Sequence, residues 1–345
     1  MGRRSCMRTM SLVVICWSLG AGLVSAQGAW GLQNRGYYEP LIAEVRAANV
    51  NVQFWGQSDE FPFMQTPGRR RIWDIGLGKE LGLFGYETGN GGRAPLGPGR
   101  WGVGVWMPVS FHVVEDFKDE SAPIINTDYR FSGMVKGQYG LRERLQIGGR
   151  FQFGHESTHL GDEFTLGAQK DDTFERVNVS YEYWEWGTSV EWQTDTVPSH
   201  ELIVRGGGIG LLDNEKGFYS ATLLFPEGGQ VAASKRNYET TVGVEWKMNG
   251  LRDGGGALLG PYWPFVSLDV RHRTIYDYAK ASADVDEEKQ WSFNLLIGLR
   301  RADRTYLQKG IPNFYFRIYH GVNPHGQFRS ERDYFMIGAG LQVPV

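Results

Sequence analysis

Residues 238–248 read YETTVGVEWKM. In an extended chain, Tyr238, Thr240, Val242, Val244, Trp246 and Met248 share one face. Glu239, Thr241, Gly243, Glu245 and Lys247 share the other, because successive strand side chains point to opposite sides. The period of two recurs. Val266, Leu268 and Val270 oppose Ser267, Asp269 and Arg271. Trp291, Phe293, Leu295, Ile297 and Leu299 oppose Ser292, Asn294 and Gly298. Phe314, Phe316 and Ile318 oppose Tyr315, Arg317 and Tyr319. Tyr129, Phe131 and Val135 oppose Asp128, Arg130, Lys136 and Gln138.

Alternation alone has two solutions. A soluble sandwich turns the apolar face inward, whereas a membrane barrel turns it to lipid. The start of the chain favours the second. Arg3, Arg4 and Arg8 precede an apolar run over residues 11–24, and Val24-Ser25-Ala26 reads as a small-residue cleavage site. The expectation is a secretory signal peptide over residues 1–26. Both cysteines, Cys6 and Cys16, lie inside it, so a mature chain has no disulfide, thiolate metal site or cysteine nucleophile. The 47 glycines and 14% aromatic content suit tight turns and interfacial belts. A formal charge of −3 argues against a nucleic-acid partner.

The reading is an all-β transmembrane outer-membrane barrel over residues 47–345, after an N-terminal periplasmic segment over 27–46. It has about twelve antiparallel strands, an even number as single-chain bacterial barrels require, and both termini periplasmic. The run Phe335, Ile337, Ala339, Leu341, Val343 is its closing strand. Residues 137–141 are expected as a short turn, and 115–120, 157–173 and 277–290 as outer loops. Residues 217–225 also read as a strand but would break the parity, so they are placed in an outer loop. Pro108 interrupts an otherwise good strand, which a bulge would explain. Lumen positions carry both signs, among them Asp74, Glu80, Arg144, Arg150, Glu245 and Arg317. Such charges pair at close quarters and argue against a wide diffusion pore.

The chemically pointed segment is HESTHLGDEF, residues 155–164. Parity places His155 and Ser157 on the lipid side at the outer rim and Glu156 toward the lumen. Histidine and serine at i and i+2 are same-face neighbours, so the imidazole can serve as base to the hydroxyl. Asp162 or Glu175 would orient it. His159, Asp162 and Glu163 form an alternative divalent-metal cluster, with Ca2+ as the ion that oxygen-rich ligands favour. A third reading is polar residues meeting lipid headgroups. His320 and His325 read as structural. The run at residues 69–71 reads as a charge match to anionic lipopolysaccharide.

The His155-x-Ser157 pair resembles outer-membrane phospholipase A and the lipid A 3-O-deacylase barrel, which implies ester hydrolysis by these two residues. More of the chain resembles an uncharacterised bacterial outer-membrane family. That resemblance rests on residues 126–130 (NTDYR), 155–164, 179–182 (VSYE) and 319–328 (YHGVNPHGQF). It implies a barrel and no particular activity. The expected partners are outer-membrane lipids or lipopolysaccharide, and the barrel-assembly machinery during biogenesis. Two functions are expected to compete: an esterase acting on outer-leaflet acyl chains, and a non-enzymatic barrel serving as narrow channel, anchor or structural element.

Overall fold

A computed structural model describes residues 28–31, 37–45, 47–57, 70–88, 96–116, 124–160, 177–196, 199–212, 217–219, 229–231, 237–249, 262–274, 289–301, 312–325 and 333–343. All regular structure there is β. In chain order the strands are β1 (Gly28–Gly31), β2 (Val50–Gln57), β3 (Arg70–Thr88), β4 (Trp101–Asp116), β5 (Ile124–Arg142), β6 (Leu145–Leu160), β7 (Val177–Gln193) and β8 (Ser199–Leu212). They continue as β9 (Gly217–Tyr219), β10 (Gly229–Val231), β11 (Asn237–Asn249), β12 (Tyr262–Thr274), β13 (Lys289–Arg301), β14 (Asn313–Gly321) and β15 (Tyr334–Val343).

Twelve of them, β2–β8 and β11–β15, form an antiparallel ring. Each pairs with its neighbours in chain order, β8 with β11, and β15 closes on β2 from Met336↔Gln57 to Val343↔Val50. Closure removes the unpaired edges that an open sheet would expose.

The stretch at 238–248 settles which way the ring faces. Val242 and Val244 are 52% and 38% exposed on its outside, while Glu239 and Glu245 are 1% and 0% exposed within. The pattern holds around the ring, from Phe131 at 55% and Phe316 at 72% outside to Lys136 at 1% inside. This is the inverse of a soluble protein and the arrangement of an outer-membrane-type barrel. Aromatic pairs mark both ends of the outer face. His272 stacks on Trp291 at 4.7 Å between ring centroids, and at the other end His200 stacks on Trp246 at 5.7 Å.

Several details differ from the sequence reading. The turn expected at 137–141 lies at 143–144 instead. Residues 137–140 are paired in β5, and Gly140 lies so close to the Leu96 and Gly97 carbonyls that a Cβ would overlap them. Arg144 consequently sits in the turn, half-exposed and paired with Asp195, not in the lumen. Residues 157–160 extend β6. Pro108 has no bulge of its own: the β4–β5 ladder lapses at Met107 and Pro108 with its register unchanged, the gap expected where a proline has no N–H to give. The nearby bulge is in β3, between Gly82 and Phe84. Residues 217–219 pair with β10 and with the start of β7, a small hairpin outside the ring, which preserves the even count.

The stretch expected as a separate periplasmic segment is part of the barrel in its described portions. β1 pairs with the end of β3, from Gly28↔Thr88 to Gly31↔Gly85. Residues 37–45 and 47–49 then fill the lumen. Tyr37, Tyr38, Leu41 and Ala43 are all buried there. The wall is hollowed to receive them: a Cβ on Gly102 would overlap the Tyr37 ring, one on Gly187 the Tyr38 hydroxyl, and one on Gly243 the Leu41 side chain. Residues 321–325 fold in from the other end, where Val322 donates its N–H to Ser292 Oγ at 3.0 Å and His325 stacks on Trp55.

Charges of both signs pair along the remaining lumen wall. Arg130 meets Glu156 at 2.9 Å, Arg271 meets Asp269 at 2.7 Å, and Lys247 meets Glu245 at 2.6 Å. Such buried pairs add little net stability, but removing one partner leaves an expensive lone charge. They fix one arrangement of the interior.

Candidate functional site

His155 and Ser157 lie near the end of β6, on the side of the ring away from β2's start and β15's end. That side carries most of the long connections, including 161–176 and 213–236, as the outer side of a bacterial barrel does. Both residues point outward, whereas Glu156 between them and Thr158 after them are fully buried in the lumen. Across the β6–β7 ladder, His155 pairs with Glu182 and Ser157 with Ser180. Ser180 and Glu182 are also outward, since Tyr181 and Tyr183 are buried within.

The imidazole therefore meets its partners across strands. His155 Nε2 lies 3.4 Å from Ser180 Oγ, and His155 Nδ1 lies 3.5 Å from Glu182 Oε1. With the proton on Nδ1, the ring N–H is on the side of the carboxylate and its Nε2 lone pair faces the Ser180 hydroxyl. This is the order of a serine, histidine and acid triad, in which the acid fixes tautomer and orientation. Both separations are long for a resting triad, which tightens when substrate binds. His155 and Glu182 are 45% and 53% exposed, open to a substrate approaching from outside the ring. The surface around it is apolar, with Phe131, the cross-strand partner of His155 on β5, and Phe153 and Phe151 toward the barrel waist all at least half-exposed.

The sequence-derived residues are thus only partly assembled. His155 and Ser157 share the outward face as expected. The hydroxyl facing His155 Nε2 is Ser180's, with Ser157 beside it as the cross-strand partner of Ser180. Asp162, Glu163 and Glu175 lie outside the described residues, as does the side chain of His159, whose backbone pairs with Thr127. Among the described residues no group of three or more His, Cys, Asp or Glu side chains could hold a metal ion. Ser180 and Glu182 were visible in sequence only inside the segment VSYE. Of the other pointed residues, His325 is buried in the lumen with Nδ1 3.5 Å from Asp128 Oδ2, His320 is outward, and Arg71 is exposed at the rim.

Residues 86–229, which include His155, Ser157, Ser180 and Glu182, match a family described as "Protein of unknown function (DUF1207)". No curated protein matches the sequence. Among solved structures, the chain is similar to the β domain of the Bordetella autotransporter BrkA. The two share 12% identity over 86% of this chain and 99% of that one, with a TM-score of 0.40. The translocator domain of the autotransporter NalP from Neisseria meningitidis is 10% identical over 98% and 94%, with a TM-score of 0.41. The outer membrane protein OprD from Pseudomonas aeruginosa is 9% identical over 90% and 97%, with a TM-score of 0.28. These likenesses carry no statement about activity.

Proposed function

We propose that this protein is an integral outer-membrane hydrolase that cleaves acyl esters of outer-leaflet lipids at the outer surface of its own barrel. The observation that carries the reading is His155 set between Ser180 Oγ and Glu182 Oε1 on the outward face. Ser180 attacks the ester carbonyl, His155 takes its proton and returns it to the leaving alcohol, and Glu182 holds the imidazolium. Water then frees the acyl group from the serine with the same base. The apolar surface of Phe131 beside the cluster and of Phe153 and Phe151 below it suits a substrate whose polar ester sits above a hydrocarbon chain. A polar cluster turned toward lipid is costly without a function or a headgroup partner.

The test uses the purified, folded protein in mixed micelles with phospholipid or lipid A. Fatty-acid release that disappears in Ser180→Ala and His155→Ala but persists in Ser157→Ala supports the assignment. Loss in Ser157→Ala with retention in Ser180→Ala moves the nucleophile to Ser157. No release by wild type from either lipid ends the hydrolase reading and leaves the lumen-filled barrel as an anchor or structural element.

A further inference from the structure

The lumen-filling segment is held mainly by one charged residue. Glu44 contacts the Arg150 guanidinium and lies 3.8 Å from Arg205 Nη1, with Arg271 also acting on it. Six residues earlier, the Tyr38 ring lies under the same two guanidiniums, 4.3 Å from Arg205 and 5.2 Å from Arg150. Backbone groups complete the seat. Ile42 N donates to Glu245 at 2.6 Å, Ala43 N donates to Ser267 Oγ at 3.1 Å, and Asn294 donates to the Ala43 carbonyl. With the glycine hollows at 102, 187 and 243, this is a fitted stopper in the lumen.

We propose that residues 37–45 and 47–49 are a plug pinned by Glu44, and that the barrel freed of this plug is a narrow pore for small ions. The width follows from what leaves. An extended chain with its side chains occupies a cross-section of about 5 by 10 Å, enough for hydrated ions. The turn at 321–325 is a second stopper in series. Arg273 Nη1 donates to the Asn323 carbonyl at 3.1 Å and holds it in place.

The experiment records single-channel current in planar bilayers from the full chain, with chloride as the probe ion. The variants are Glu44→Arg, and Glu44→Arg combined with replacement of 322–325 by a glycine-serine linker. Folding is checked by heat-modifiable gel mobility. A further variant adds Ala43→Cys and Ser267→Cys to Glu44→Arg, to fasten the plug by a disulfide. Discrete conductance steps absent from wild type are expected in one or both opened variants, with silence in the fastened form until reductant is added. Wild type conducting as well as the opened variants overturns the plug. Folded variants that stay silent overturn the pore.

Discussion

His155 and Glu182 face one another across the β6–β7 ladder on the outer surface of the ring, Nδ1 to Oε1 at 3.5 Å, with Ser180 on the opposite nitrogen. Position along a strand and pairing across strands do different work here. Neighbours at i and i+2 are about 6.8 Å apart along the chain, whereas directly paired residues come within about 4.5–5.5 Å. An imidazole on β6 therefore reaches β7 more readily than the next outward residue of its own strand.

In the hydrolase reading, His155→Ala lowers kcat by roughly 10²–10⁴-fold, the usual worth of a general base. Glu182→Gln keeps the shape but loses the charge that fixes the tautomer. Its expected signature is a fall in kcat with KM unchanged, whereas a purely structural role for Glu182 would lower the folded fraction and leave kcat per folded molecule intact. Steady-state kinetics on folded protein separates the two.

The Glu44 pin makes the plug resistant to acid. Burial raises its pKa, but Arg150, Arg271 and Arg205 outweigh burial and bring it to about 2 from the usual value near 4.5. A depressed folded value means that the seat's contribution is fully present above the unfolded pKa and is lost as pH falls through the folded one. Current through a variant in which only 322–325 are replaced by the glycine-serine linker should therefore stay low from pH 7 to pH 4.5 and rise only as pH approaches 2. A rise already complete at pH 4.5 would contradict the pin.

The hollows in the wall should be felt when filled. Gly187→Ala puts a methyl into the Tyr38 hydroxyl, and overpacking of this kind costs about 1–3 kcal/mol. Adding Tyr38→Phe, which removes the clashing oxygen, should return part of that loss. Urea-unfolding midpoints in vesicles measure both. An additive double variant would show that the two residues do not share a space.

The outer face is as selective as the lumen. Phe316 is 72% exposed on β14, so Phe316→Arg should cost about 2–4 kcal/mol if it lies at mid-bilayer, falling to ~0–1 kcal/mol near the interface. The same unfolding measurement in vesicles gives its depth. A gain in stability would argue against a lipid-facing position.

The ring was legible in the sequence because its signal is repetitive. Runs such as Tyr238 to Met248 and Phe314 to Ile318 each carry the period of two, and their parity placed His155 and Ser157 outward. Cross-strand register was not legible. The offset of β7 against β6 is set across residues 161–176, and alternation is indifferent to a shift of two. Ser180 and Glu182 thus had no visible relation to His155. The plug was hidden for another reason. Tyr37 to Asn49 has no period to read, and its seat consists of glycines and arginines far away in the chain. A hollow made by Gly102, Gly187 and Gly243 is visible only when the ring has brought them round the same segment.

The seam between β15 and β2 also sets an order of events. Residues 50–57 must wait for residues 336–343, a contact of very high sequence separation and so a slow one to form. The segment that fills the lumen immediately precedes β2, one side of that seam. It can therefore be in place while the sheet is still an open sickle, giving the curling strands something to wrap. A chain that closed first would have to thread thirteen residues through a finished ring, so the plug's entry belongs to biogenesis, before the last strand docks.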